Sequence, residues 1–395
     1  MGRDDGGLFR SIDVGIDFPN VQKARDTLRT SMRKLIASGQ TVFPQDRKPK
    51  KKTDIYKPVV PVNRLHPFFA KLANEARFSS AKEIIGELIY SYEDPDGNYI
   101  EQFQTTGFNA RLWELYLHAY LHEEEFYIER TYQFPDYMCR KFDQVVFIEA
   151  VTVNPSSNQG LVEERPKSKR EVDEKLRDYM PIKFGSALYS KLNKKYWERE
   201  HVQGHPLVFA IQDFHQERSM IWSSMALPTY LYGVRHSWRK DADGNLEIIP
   251  EYIEKHKYGD KEIPSGFFFQ PEAENISAIL FSNSATISKF NRMGKLAGFG
   301  DSKIIMIRMG ARHNHDPNAV MPLPFRVTVD PSSYDEMWAD GLSMYHNPNA
   351  LQPIDPQLFP NIAHHIFEDG QIISTIPEIY IYNSFTFLIQ PNKRT

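Results

Sequence analysis

The amino-acid sequence predicts an α/β fold: a mixed sheet flanked by helices, preceded by a helical N-terminal segment and followed by a β-rich C-terminal domain. Three observations carry this. Apolar residues recur at helical spacing through 62–124. Short β-branched runs then follow at 125–153 and again at 206–213, with a helical stretch between them. Beyond about residue 240 strand-like runs dominate. Helices and strands in this mixed order place helices on both faces of a sheet.

A chain of 395 residues exceeds one ordinary core, which predicts several domains. The expected division is an N-terminal helix and basic linker over 1–60, a helical segment over 61–104, an α/β core over 105–235, and a β-rich C-terminal domain over 236–395. Hydrophobic residues make up 41% and charged residues 25%, as in folded domains and unlike disordered chains. Cys139 is the one cysteine, which excludes an intramolecular disulfide framework and a Cys-rich zinc site. A lone thiol fits a reducing compartment, most simply the cytoplasm. The N-terminal residues carry no signal-peptide pattern, and no run approaches a membrane span, so no membrane partner is expected. A net charge of −3 does not mark a uniformly basic nucleic-acid binder, but charge is uneven. Residues 47–52, RKPKKK, are five-sixths basic, and 165–199 hold 11 Lys and Arg against five Asp and Glu.

Element by element, NVQKARDTLRTSMRKLIAS (20–38) reads as a helix, as do HPFFAKLANEARF (66–78) and SSAKEIIGELIYSYED (79–94). A DPDGN turn follows, then FNARLWELYLHAYLHEEE (108–125), apolar on nearly every side and so a buried helix. Strands are expected near 125–133, 137–142 and 144–153, a helix over 182–200, and a buried strand over 206–213. In the C-terminal part GFFFQ, ISAILFSN, KIIMIRMG, PFRVTV and EIYIYNSFTFLIQ read as strands. Phe290–Gly294 reads as a polar, Gly-punctuated loop.

One acid stands out. QVVFIEAVTV (144–153) has the density of a buried strand, and alternation puts Glu149 on one face with Val145, Phe147 and Val151. A buried carboxylate without a partner is prohibitively costly, so a cation, a hydrogen-bond network or a metal must meet it. Asp136, 13 residues upstream, falls where a hairpin sets the two carboxylates side by side. Such a pair repels unless a divalent cation or a shared proton intervenes, and oxygen-only ligands favour Mg²⁺ or Mn²⁺. Glu114 lies on the apolar stripe of Ala110, Leu117, His118 and Leu121. In the 182–200 helix, Lys191 and Lys195 fall within about 20° of Phe184, on its apolar face.

The element order, the Pro135-Asp136 dipeptide and an acid in the next strand resemble the PD-(D/E)XK nuclease superfamily, the restriction-endonuclease-like fold, over roughly 105–235. The resemblance implies that Asp136 and Glu149 bind Mg²⁺ or Mn²⁺ and that Glu114 is the helix glutamate of part of that superfamily. The family's lysine fails to match: two residues after the acid stands Val151. In some members the lysine has moved to the following helix, which makes Lys191 the first candidate and Lys195 the second. The implied activity is Mg²⁺-dependent hydrolysis of DNA, with RNA also open, in a setting such as defence against foreign DNA, and a homodimer.

Two other readings stand beside it. Val151 suits a nuclease fold that has lost its chemistry and serves as a nucleic-acid-binding or scaffold module, and Glu114 with Glu149 could act as general acid and base in another hydrolase. The letters HNH at 313–315 lack the ββα spacing of a true HNH site. His313, His315, His346, His364 and His365 show no metal-site spacing either, and Cys139 reads as a small hydrophobe.

Overall fold

The computed structural model describes residues 2–4, 9–44, 54–92, 94, 97–155, 165–282 and 284–390. The basic run at 47–52 and part of the DPDGN turn lie outside the described residues. The chain divides into two units, Met1–Lys57 with Gly86–Glu93, and Pro58–Ile85 with Asp94–Thr395. In the first, strands β1 (Gly2–Arg3) and β2 (Phe9–Arg10) pair antiparallel, and helix α1 (Val21–Ala37) starts at Asn20, whose side chain accepts the Lys23 N–H at 2.8 Å. An oxygen at that position satisfies an amide that the first helical turn leaves free.

In the second unit α2 (Pro67–Asn74), α3 (Ser79–Leu88, of which the residues up to Ile85 belong to this unit) and the short α4 (Tyr99–Gln104) precede α5 (Phe108–Glu123). As expected, α5 is buried nearly all round, from Leu112 to Leu121. Strands β3 (Tyr127–Glu129), β4 (Tyr137–Lys141) and β5 (Gln144–Val153) follow, then α6 (Lys169–Glu174), α7 (Met180–Leu192) and β6 (Leu207–Asp213). After α8 (Ala226–Tyr232) come two hairpins, β7 (Val234–Lys240) with β8 (Leu246–Tyr252) and β9 (Lys255–Tyr258) with β10 (Lys261–Pro264). The remainder is β11 (Ala278–Ser282), α9 (Ile287–Leu296), β12 (Ile305–Arg312), β13 (Leu323–Thr328), β14 (Leu342–His346), β15 (Ala363–Glu368), β16 (Gln371–Thr375) and β17 (Ile381–Ile389).

One mixed eight-stranded sheet organises this unit, in the order β16-β15-β14-β11-β6-β5-β4-β3. Its centre, β5, β6 and β11, is parallel, which buries both faces and explains why β6 is apolar through Ile211. On one face Phe147, Val151, Phe209 and Ile211 pack with Phe184, Leu188 and Leu192 of α7. On the other, Val146 and Ile148 are fully buried and Trp113 of α5 donates its indole N–H to the Ala210 carbonyl at 2.9 Å. The mixed sheet between helices is thus the expected architecture. The division expected at residue 236 has no counterpart in it, because β11, β14, β15 and β16 lie beyond that point and extend the same sheet. Separate from it are the three-stranded sheet β13-β12-β17 and the β7-β8 and β9-β10 hairpins. No described helix is long and apolar enough to cross a membrane.

Three local expectations are corrected. GFFFQ is a helical turn, Phe267–Phe269, because Phe267 and Phe268 are both buried in one core and a strand would send successive side chains to opposite faces. The 182–200 helix ends at Leu192, and Lys195 adopts left-handed backbone with φ 49°. Residues Phe290–Gly294 form part of α9 instead of a loop. Their polarity hid the pattern, since Lys289, Asn291 and Arg292 are all on the buried side.

Asn291 donates to the Arg77 carbonyl at 2.9 Å and accepts the Ala81 N–H at 3.0 Å, and what meets Lys289 and Arg292 is Glu336. Arg292 grips it at 2.7 and 2.8 Å, Lys289 reaches it at 2.8 Å and Arg308 at 3.1 Å, with the Tyr334 hydroxyl donating at 2.7 Å. Three buried cations around it hold its carboxyl far below the ordinary range against the opposing cost of burial. Glu336→Gln should therefore lower stability by about 3–5 kcal/mol, since it strands those cations in the interior. Urea or thermal unfolding would show this, and a change within about 0.5 kcal/mol would contradict it.

Candidate active site

The site begins with the β4–β5 hairpin. Lys141 pairs with Gln144 across a two-residue turn in which Phe142 and Asp143 have φ of 50° and 62°, the left-handed pair that matches the twist of two adjoining strands. That register sets Tyr137 opposite Ile148, so Asp136, one residue before β4, faces Glu149. The backbone cross-links them. Asp136 N–H donates to Glu149 Oε2 at 3.2 Å, and Ala150 N–H donates to Asp136 Oδ2 at 2.7 Å.

Glu149 is 1% exposed, and two further groups meet its other oxygen. Lys191, in the last turn of α7, places its ammonium against Oε1, and the Tyr196 hydroxyl donates to the same atom at 2.7 Å. Burial, and then the neighbouring Glu149 charge, push the Tyr196 phenol far above its ordinary pKa, so it remains a donor. Val151, two residues after Glu149, is buried against the α7 core.

Asp136 is partly exposed, yet its carboxyl is pushed well above the ordinary range. Burial is the largest cause, followed by the charges of Glu149 and Glu114; Lys191 and the Ala150 N–H oppose them. Glu114 is held by Arg111, whose guanidinium donates to its Oε2 at 2.7 Å, while the Glu114 carbonyl accepts the Tyr137 hydroxyl. The structure thus brings Asp136, Glu149, Glu114 and Lys191 into one electrostatic neighbourhood. It does not bring Lys195, whose ammonium lies against Glu272 and 3.9 Å from Glu198; the break in the helix at Leu192 turns it away.

Surplus carboxylate oxygen around a partly desolvated Asp136 is a donor set of the kind hard divalent cations take. Among the described residues no group of three or more His, Cys, Asp or Glu converges in a metal-holding arrangement. Of the histidines named in the sequence analysis, His346 is hydrogen-bonded to His364 at 2.9 Å, His313 to the Tyr382 hydroxyl, and His315 to the Glu378 carbonyl. Cys139 is buried and free, with its thiol pushed up by burial.

Sequence reasoning missed Tyr196 and Arg111, which stand one helical turn or less from residues it did select. It also missed a buried network at the end of β6, where Asp213 accepts from His215 Nδ1 at 2.7 Å and from the Ser223 hydroxyl at 2.5 Å. These bonds hold the Asp213 carboxyl below its ordinary range although burial opposes them. Asp213 pairs with Val153, four residues along from Glu149, so the network lies about 13 Å from the acid pair. Comparison with protein-family models, with curated proteins and with solved structures gives no match to this chain.

The raised Asp136 pKa has a stability consequence. The folded chain keeps this proton to higher pH than the unfolded chain does, so stability falls as pH rises from the ordinary carboxylate pKa through the folded value. At pH 7, in chelator, Asp136→Asn should stabilise the fold by roughly 0.5–2 kcal/mol, because it removes the repulsion and keeps an acceptor for Ala150. The gain should vanish near pH 3. Unfolding curves at both pH values would check this, and a destabilised variant at pH 7 would refute it.

Proposed function

We propose that this chain is a metal-dependent nuclease that hydrolyses DNA phosphodiester bonds on a restriction-endonuclease-like core at 105–235, with the motif lysine relocated to α7. The observation that carries the reading is the meeting of Lys191 with Glu149 beside Asp136. The element order α5, β3, β4, β5, α7, β6, with the four strands adjacent in the sheet, supports the same reading.

Asp136 and Glu149 would hold Mg²⁺ or Mn²⁺, with Glu114 adding charge from α5. The ion supplies charge for the scissile phosphate and acidifies the attacking water. Glu149 aims the Lys191 ammonium, which is 30% exposed and so can reach both solvent and a phosphate oxygen. Tyr196 shares Glu149 with it and limits how far either can move. The excess of Lys and Arg over 165–199 offers contacts to the nucleic-acid backbone, which makes affinity fall with salt.

A second reading has its own observation. Val151 is core, and both Glu149 oxygens are already engaged, which suits a nuclease-fold module that binds nucleic acid without cutting it. Incubation with linear, circular and single-stranded DNA in Mg²⁺ or Mn²⁺ separates the two. The nuclease reading expects cleavage that drops roughly 100-fold or more in Asp136→Asn, Glu149→Gln and Lys191→Ala, with the fold intact by circular dichroism. DNA binding without cleavage by the unaltered chain would favour the inactive module.

A further inference from the structure

Beside the acid pair lies a shelf of rings. Tyr132 and His201 stack face to face, with centroids 3.8 Å apart and planes within 1°. His201 also donates its Nε2 hydrogen to the Phe134 carbonyl at 3.0 Å and packs its edge toward buried Phe147 at 5.7 Å. Phe134 faces Tyr196 at 6.4 Å, and the Arg199 guanidinium sits over both rings at 5.8 and 5.9 Å. Large apolar rings normally retreat from water. Here Tyr132 remains 40% and Phe134 37% exposed, four and two residues from Asp136 respectively.

We infer that this shelf binds an unpaired base, so that the site acts on single-stranded or frayed nucleic acid in preference to intact duplex. The inference rests on the nuclease reading of the site. Inside a duplex each base face is covered by its neighbours in the stack, and only an extruded or single-stranded base offers a free face to a ring. Stacking of that kind is tolerant of sequence and is strengthened by a guanidinium over the rings. Arg199 and Lys194 present cations on the turn that follows α7, Lys191 continues them to the acid pair, and Lys195 is occupied by Glu272, so the acids Glu198 and Glu200 are the opposing charges on that turn. The shelf connects to the chemistry through Tyr196, whose ring meets Phe134 and whose hydroxyl holds Glu149. A base seated on Tyr132 or Phe134 would therefore fix its adjacent phosphate near Asp136.

The test uses a 12-nucleotide DNA carrying 2-aminopurine, single-stranded or annealed to its complement, with the full chain. In chelator, the single strand should lose 2-aminopurine fluorescence on binding. In Mn²⁺ it should be cut about tenfold faster than the duplex. Tyr132→Ala should abolish the quenching and bring the two rates within about twofold, while Tyr132→Trp keeps both effects. A merely structural change at the loop would slow single strand and duplex alike and leave their ratio unchanged. Duplex cut as fast as single strand by the unaltered chain, or quenching and ratio unmoved in Tyr132→Ala, would overturn the shelf and leave the nuclease standing. Quenching without cleavage of any DNA would keep the shelf and remove the nuclease, and absence of both would remove both.

Discussion

A carboxylate in a strand with almost no access to water is the constraint around which the site is arranged. Desolvating Glu149 alone would cost several kcal/mol, so the surrounding elements must each contribute a partner. They do: α7 brings Lys191, the turn after it brings Tyr196, and the chain entering β4 brings the Asp136 amide. These partners hold one carboxylate and leave a second, Asp136, disfavoured as an anion first by burial and then by its neighbours' charge. A structural ion pair accounts for Glu149 and Lys191. It does not account for a like-charged Asp136 placed across from them, which costs stability and which the proposed cation site would relieve.

The parallel centre of the sheet makes the arrangement rigid. With α7 packed on one face and α5 on the other, β5 cannot slip by one residue without moving Glu149 to the α5 side, so register and site are one specification. The C-terminal strands matter for the same reason. By pairing β11 against β6 and adding β14 to β16 beyond it, they cover the edge that a core ending at β6 would leave open. The Glu336 cluster then ties α9, β12 and the 334–340 segment together through charge.

Much of the core was legible in the sequence because its signals are local. The β-branched run at 144–153 matches β5 residue for residue, and α5 and β6 follow from their burial patterns. Asp136 and Glu149 could be paired from hairpin geometry alone. Lys191 was legible from the helical wheel, but Lys195 was not excluded by it, since nothing in NKKYW announces a helix ending at Leu192 with a left-handed residue beyond. Where the sequence misled, long-range partners decided the outcome. A helix with Lys289, Asn291 and Arg292 inside looks like a loop until Glu336 and the carbonyl of Arg77 are known to await those side chains. Likewise β11 to β16 read as a separate domain, because pairing across more than 60 residues of sequence leaves no local mark.

Calorimetric titration of the metal-free chain with Mn²⁺ near pH 6.5, in two buffers of different ionisation enthalpy, tests the central claim most directly. If Asp136 and Glu149 are a cation site, one or two ions should bind with release of protons, since the raised Asp136 carboxyl must give up what proton it holds, and Asp136→Asn or Glu149→Gln should abolish that binding. A folded chain that takes up no Mn²⁺, or binds it equally in both variants, would contradict the claim and leave Glu149 with Lys191 as an ion pair of the core.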